Sequence, residues 1–195
     1  MTPIPIHVTP ARPGTACRGA ALVEFALVLP LLLFLIMAVI DFGHLIETRL
    51  ILTNVSREGG SIGSRQTPLD ASLTDMLIAS GRPVDLAGAD GKVVITRIVA
   101  GTGTGAPDPT IAAQFERGGL AVQSGINGGL VRLGLSPTLH DHLVFNAVNG
   151  TADIAEVTVV ETFFKYRPIT PLPNMLPGML TSDGGGLILR SRAVF

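Results

Sequence analysis

The longest apolar stretch of the sequence runs from Ala20 to Ile40 and contains a single ionisable residue, Glu24. As an α-helix it would span roughly 30 Å, which is the thickness of the hydrocarbon core of a bilayer. A helix also satisfies its own backbone hydrogen bonds, as lipid requires. The stretch is longer than the apolar region of a cleaved signal peptide, and a poor cleavage site follows it. The pattern therefore predicts a transmembrane helix over residues 20–40.

Helical periodicity continues beyond this stretch. Apolar residues recur at helical spacing, although Arg49 interrupts them: Phe42, Leu45, Ile46, Leu50 and Leu52. Glycines at positions 59, 60 and 63 weaken a helix, so we expect it to end among them. The sequence thus predicts a helical stem over residues 41–65.

Two shorter helices are predicted further along the chain. Thr67-Pro68-Leu69-Asp70 combines a capping hydroxyl, a proline for the first turn and an acid near the positive helix end. Gly81 would end this helix. Ser136-Pro137 marks a second start, and that helix would run toward Phe145.

Three segments have the composition or alternation of strands. Lys92–Val99 is rich in β-branched residues, and Leu187–Phe195 alternates. In Ile154–Tyr166 the apolar Val157, Val159 and Phe163 fall on one side, while Glu156, Thr158 and Thr162 fall on the other. Residues 101–109 and 167–177 are predicted loops, and residues 118–134 are left unassigned. We predict an α+β fold, with a short antiparallel sheet packed against the helical stem.

The flanking charges predict the orientation of the transmembrane helix. Arg12 and Arg18 precede it without any acidic neighbour, whereas Asp41 and Glu47 follow it. Cationic flanks remain preferentially in the cytoplasm. The N-terminus is therefore predicted to be cytoplasmic, with the residues after the helix on the far side of the membrane.

Composition and charge exclude several function classes. A net charge of −1, one tyrosine and no tryptophan argue against nucleic acid as a partner. Cys17 is the only cysteine, so no intrachain disulfide can form. His140 and His142 would diverge on a helix, so no metal site is predicted. No nucleophile elbow or other catalytic pattern is present, and we predict neither an enzyme nor a cofactor.

Glu24 lies one turn inside the predicted transmembrane helix. A carboxylate costs on the order of 2.5–3.5 kcal/mol at the bilayer centre and less near an end. It could avoid part of this cost by reaching the interface, or it could be paired with a cation. Pro30 also lies in this helix, and we predict a helix kink there.

A glycine, four apolar residues, a glutamate and an aromatic residue follow one another from Gly19 to Phe25. This arrangement resembles the processing site of type IV pilins and pseudopilins. The resemblance implies that a prepilin peptidase, a membrane aspartyl enzyme, cleaves between Gly19 and Ala20. Glu24, followed by Phe25, would then take part in subunit pairing, with its carboxylate against the new α-amino group of a neighbouring subunit.

A longer set of residues, Arg18–Pro30, Asp41-Phe42-Gly43 and Ser56-Arg57-Glu58-Gly59, resembles the opening of TadE-like proteins. These are minor pseudopilins of the tight-adherence (Flp) pilus system. Val157–Pro173 fits that family more loosely. The resemblance implies a bacterial inner-membrane protein whose C-terminal domain is periplasmic or extracellular. Its expected partners are other pilin subunits, the pilus-assembly machinery, the prepilin peptidase and the lipid bilayer.

The predicted organisation is a cytoplasmic leader over 1–19, a transmembrane helix over 20–40, a stem over 41–65 and an extracytoplasmic domain over 66–195. Two alternative hypotheses compete with the pseudopilin interpretation. The chain could be an unprocessed single-pass membrane protein with an extracytoplasmic binding domain. It could also be a secreted soluble enzyme after signal removal, which the sequence supports least.

Overall fold

The computed structural model describes residues 16–65, 70–171 and 186–195, with side chains from residue 19 onward. Within these ranges the chain forms a long first helix, two short helices, a four-stranded sheet and a 3-10 turn over Val131–Gly134. The helices are α1 (Ala16–Gly63), α2 (Ala71–Ser80) and α3 (Pro137–Leu143). The strands are β1 (Gly91–Val99), β2 (Thr110–Arg117), β3 (Glu156–Tyr166) and β4 (Leu187–Val194).

The α1 helix is continuous through the predicted transmembrane and stem segments, with Pro30 inside it. It ends at Gly63, among the three glycines that predicted its end. From Gly19 onward it is long and apolar enough to cross a membrane, and the most apolar part is not buried in this chain. We call residues 41–63 of α1 the stem, and the sheet with its loops and short helices the head.

The sheet is antiparallel throughout, with strand order β2-β1-β3-β4. The predicted α+β fold, with a short antiparallel sheet against a helical stem, is confirmed. β2 is an edge strand that the sequence pattern does not predict. Its side chains are exposed or half-buried, and they include the small Ala112 and Ala113. The difference in hydrophobicity between its alternate positions is therefore small.

The stem and α2 cover one face of the sheet. The apolar cluster between them contains, among others, Leu52 and Val55 from the stem, Leu77 from α2 and Val160 from β3. The loops and α3 cover the opposite face, where Leu143 packs with strand residues such as Val159. The sheet is therefore sandwiched between the stem and a layer of loops.

The polar side of β3 is buried against the stem. Thr158 and Thr162 alternate with apolar residues as predicted, but both are almost completely buried. The Thr162 hydroxyl lies 2.9 Å from that of Ser56 and 3.2 Å from the carbonyl oxygen of Leu52, both on the stem. Polar strand residues serve here as a hydrogen-bonded contact with α1, which accommodates their burial.

The start of α2 differs from the prediction. The helix begins at Ala71, and the carboxylate of Asp70 accepts the N-cap hydrogen bond from the backbone N–H of Ser72 at 2.8 Å. The predicted capping residue, Thr67, lies outside the described residues. The start of α3 agrees with the prediction, since Ser136 caps it and Pro137 is its first residue.

Two stem glycines allow close packing of α1 on the head. A Cβ atom at Gly59 would clash with the side chain of Leu77 and lie in tight contact, at 3.2 Å, with that of Val160, and one at Gly60 would clash with the ring of Phe195. At Gly43, on the same helix, a Cβ would meet nothing within 4 Å.

Gly59→Val is expected to destabilise the folded head by about 1–3 kcal/mol, because the added side chain overpacks the contact with Leu77 and Val160. Denaturant unfolding of the full chain in detergent, followed by circular dichroism, would measure the change. Gly43→Val is the matched control and should shift the free energy of unfolding by less than about 0.5 kcal/mol. Equal losses in the two variants would contradict this account of the packing.

Candidate assembly surface and membrane junction

The first helix changes its surroundings at Asp41. From residue 19 to residue 40 its side chains are exposed or half-buried, and Asp41 is the first buried one. Beyond Asp41 a buried side chain returns at almost every turn, including Thr48, Leu52 and Val55. The head thus begins to cover α1 at the position where the apolar stretch ends.

Asp41 fixes the loop after β3 to this point of the helix. Its Oδ1 accepts hydrogen bonds from the backbone N–H groups of Ile169 at 2.9 Å and Thr170 at 3.0 Å. Its Oδ2 accepts another from the Thr170 hydroxyl. The hydroxyl of Tyr166, the last residue of β3, donates to the backbone carbonyl of Asp41 at 2.7 Å. We call this group of four residues the Asp41 clamp.

The clamp binds the ionised form of Asp41. Burial raises the pKa of this carboxyl, but the hydrogen bonds from Thr170 and Ile169 outweigh burial and hold the pKa below its ordinary value of 3.8. Burial, together with the charge of Asp41, raises the pKa of the Tyr166 phenol, which keeps its proton for donation. The ring of His44, one turn further along the stem, lies 5.5 Å from the Tyr166 ring.

The parts of the clamp carry sequence signals, but their contact does not. Asp41-Phe42-Gly43 belongs to the residues that resemble TadE-like proteins, and Ile169 and Thr170 lie within Val157–Pro173, which fits that family more loosely. The structure brings them together. The residues in contact are 128 and 129 positions apart in the chain, so no local pattern could have paired them.

The predicted processing and pairing residues lie on the exposed part of α1. Gly19, Ala20, Glu24 and Phe25 are exposed, and Pro30 lies further along the same helix. At 1.5 Å per residue, Glu24 lies about 26 Å from the Asp41 clamp. The structure therefore does not join the pairing residues to the head, and they are available to other molecules.

An exposed apolar row runs along α1 from Glu24 past the end of the apolar stretch. Spacings of three and four residues place its members on one side of the helix: Glu24, Val28, Leu31, Leu35, Val39, Phe42, Ile46 and Leu50. Phe42, Ile46 and Leu50 are 44–64% exposed, although they lie beside the head. We call these three residues the stem row. The head covers the other side of the helix, so the stem row stays exposed among the described residues.

A second buried carboxylate belongs to the head rather than to this surface. Glu161 on β3 is fully buried, and its carboxylate contacts Arg190 and Arg192 of β4, the latter at 3.1 Å. It also accepts the backbone N–H of Gly125 at 3.0 Å and the hydroxyl of Ser124. Burial raises the pKa of Glu161, but the hydrogen bonds from Ser124 and Arg190 and the charges of Arg192 and Arg190 lower it by more, so the net shift is downward. The cluster fastens the 118–134 loop to the sheet.

The two histidines considered as metal ligands take part in local contacts. His142 Nδ1 lies 2.9 Å from Asp153 Oδ2, while His140 Nδ1 lies 3.6 Å from Asp141 Oδ1. Within the parts of the chain that the structure describes, no three histidine, cysteine or acidic side chains are grouped to hold a metal ion.

Comparison with known proteins identifies one segment. Residues 19–61 match the family model described as TadE-like protein, which confirms the resemblance over almost the whole of α1. No curated protein and no solved structure matches the chain. The TadE-like family suggests a role in tight-adherence pilus systems, as a structural component in contact with other pilus components. The apolar helix near the N-terminus, the one span candidate among the described residues, suggests a membrane anchor.

Asp41→Asn is expected to lower the stability of the head by about 1–3 kcal/mol at neutral pH, because three hydrogen bonds lose their charged acceptor. The folded-state pKa of Asp41 is lowered, so the charge contributes stability above the ordinary value of 3.8. That contribution is lost as the pH falls through the lowered pKa.

Unfolding of Asp41→Asn and wild type between pH 7 and pH 3 would measure the effect. The difference between them should shrink as the pH falls below the ordinary carboxyl value. Asp108→Asn, at an exposed carboxylate, is the matched control and should be near neutral. A difference that stays constant with pH would contradict a role for the Asp41 charge.

Proposed function

We propose that this chain is a membrane-anchored pseudopilin that acts in the assembly of a tight-adherence pilus. The observation that carries the proposal is the position of the family match. It covers the helix whose first half is exposed and apolar and whose second half supports the head. The protein would act through helix packing and protein–protein contacts, without catalysis.

Residues 20–40 would cross the bacterial inner membrane, with a cytoplasmic leader over 1–19. The stem and the head would lie outside the cytoplasm. The charges on either side of the apolar stretch support this orientation, since arginines precede it and Asp41 and Glu47 follow it. Asp41 would then be the first residue beyond the hydrocarbon core, where the clamp protects its charge.

Processing after Gly19 is supported by the open space around this glycine. A Cβ atom at position 19 would meet nothing within 4 Å, so the described part of the fold does not require glycine there. Glycine in a helix costs about 1 kcal/mol relative to alanine. A peptidase that must approach the backbone closely gives a reason to keep it.

Pairing of Glu24 with a new α-amino group would complete the proposed assembly surface. Cleavage before Ala20 places an ammonium group one helical turn from Glu24, at the end of the exposed apolar row. In lipid, each charge would lower the cost of burying the other. The row would let α1 pack beside a neighbouring helix, while the predicted kink at Pro30 would adjust its path.

Replacing Gly19 by a bulky residue should abolish leader removal, because the side chain blocks approach to the Gly19–Ala20 bond. N-terminal sequencing of the mature chain from cells with a prepilin peptidase would test this. Wild type should begin at Ala20 and Gly19→Phe at Met1. Gly43→Phe is the control, since Gly43 also has open space around it but lies far from the bond. A wild-type chain that begins at Met1 would support the unprocessed alternative.

A photo-crosslinking amino acid at Ile46, on the stem row, should link the chain to another pilin-like subunit in assembling cells. At Glu47, about 100° further around the helix, the yield should be several-fold lower. Glu24→Gln should remain in the membrane fraction but lose the crosslink at position 46, because the charge pair is missing. Equal yields at positions 46 and 47, or a yield unaffected by Glu24→Gln, would contradict the proposed surface.

A further inference from the structure

One end of the sheet lies at the level of Asp41. Tyr166, at the C-terminal end of β3, donates to the backbone of Asp41, while Arg97 of β1 donates to the carbonyl oxygen of Gly63 at 2.7 Å. Arg97 pairs with Thr158, near the opposite end of β3. The two ends of the sheet are thus separated along α1 by about 33 Å. The Tyr166 end adjoins the apolar part of the helix.

This end of the sheet carries exposed apolar side chains. Ile169 is 64% exposed, and its backbone N–H is bound to Asp41. Leu187, which pairs with Tyr166 across β3 and β4, is 51% exposed, and the adjacent Ile188 is 50% exposed. We call Ile169, Leu187 and Ile188 the membrane-proximal rim.

A shallow groove of about 550 Å³ adjoins the rim. Leu187 and Ile188 line it, together with Leu120 and Val122. Lys165 also lines the groove, while Arg167 pairs with Asp90 and Lys92 pairs with Glu116. The three rim side chains are themselves apolar, with cations beside them, and this combination suits the interfacial region of a bilayer.

We infer that the membrane-proximal rim contacts the interfacial region of the bilayer that holds α1. This rests on the proposed function, because it requires residues 20–40 to lie in lipid. Given that anchor, the hydrogen bonds from Ile169 and Thr170 to Asp41 hold the loop at the surface of the membrane. Apolar side chains next to the helix exit bury area there that would otherwise face water. The head would then be oriented by two attachments, its helix and its rim.

The absence of tryptophan from the chain permits a direct test. Single tryptophans would replace Ile169 or Ile188 on the rim, Leu32 in the proposed span and Val148 as the matched control. Val148 is apolar and 93% exposed, in the loop before β3 near the opposite end of the sheet. Each full-length variant would be placed in phosphatidylcholine vesicles brominated either near the headgroup or deep in the acyl chain.

Tryptophan at positions 169 and 188 should be quenched by the shallow bromines at least twofold more strongly than tryptophan at 148. Tryptophan at 32 should be quenched most by the deep bromines. Quenching at 32 with none above the level of 148 at 169 and 188 would overturn the inference and leave the anchor standing. A blue-shifted emission of the tryptophans at 169 and 188 without quenching would also overturn the inference, because it would mean that protein rather than lipid covers the rim. Absence of quenching at 32 would contradict the anchor itself.

Discussion

The hydrogen bonds that Asp41 accepts from the loop after β3 determine how the head is placed on its helix. They lie at the one position of α1 where an exposed apolar helix becomes a packed one. A carboxylate that accepts two backbone N–H groups and a hydroxyl is a directional contact, because each donor fixes one direction at the acceptor. Tyr166 adds a further hydrogen bond, which its hydroxyl donates to the backbone carbonyl of Asp41. The head therefore has a defined height and rotation relative to the apolar part of α1.

The remainder of the fold follows from covering both faces of a small sheet. The stem and α2 cover one face with an apolar cluster and with the Ser56–Thr162 contact. The other face is covered largely by loops, which have no regular hydrogen-bond ladder of their own. Glu161 holds these loops on the sheet, because its carboxylate accepts hydrogen bonds from Ser124 and Gly125 while Arg190 and Arg192 balance its charge. Buried charge is tolerated at this position since all of its partners are present.

Local sequence signals predicted the elements that carry such signals. The long apolar run gave α1, Ser136-Pro137 gave the start of α3, and β-branched runs or alternation gave β1, β3 and β4. The weakly alternating β2 and the loop over 118–134 could not be predicted, because their conformations depend on the sheet and on Glu161. The Asp41 clamp joins residues more than 120 positions apart, and its partners become apparent only when β3 is placed along the stem. Of the candidate assembly surface, the sequence contained Gly19, Ala20, Glu24, Phe25 and Pro30. That the exposed apolar row continues past Asp41 into the stem row could not be predicted, because this depends on which side of the helix the head covers.

The glycines of α1 fall into two groups, those that pack against the head and those that have open space around them. Gly59 and Gly60 look like helix breakers in the sequence, yet they lie within the helix and allow Leu77, Val160 and Phe195 to approach the backbone. Gly19 and Gly43 destabilise the same helix through the low helix propensity of glycine. A Cβ atom at either position would meet no neighbour within 4 Å. The described part of the folded chain therefore does not require glycine at either position. Both glycines lie where the helix is exposed, so a molecule from outside could approach the backbone there. A peptidase at Gly19 and a neighbouring helix near Gly43, beside Phe42 and Ile46, are approaches of that kind.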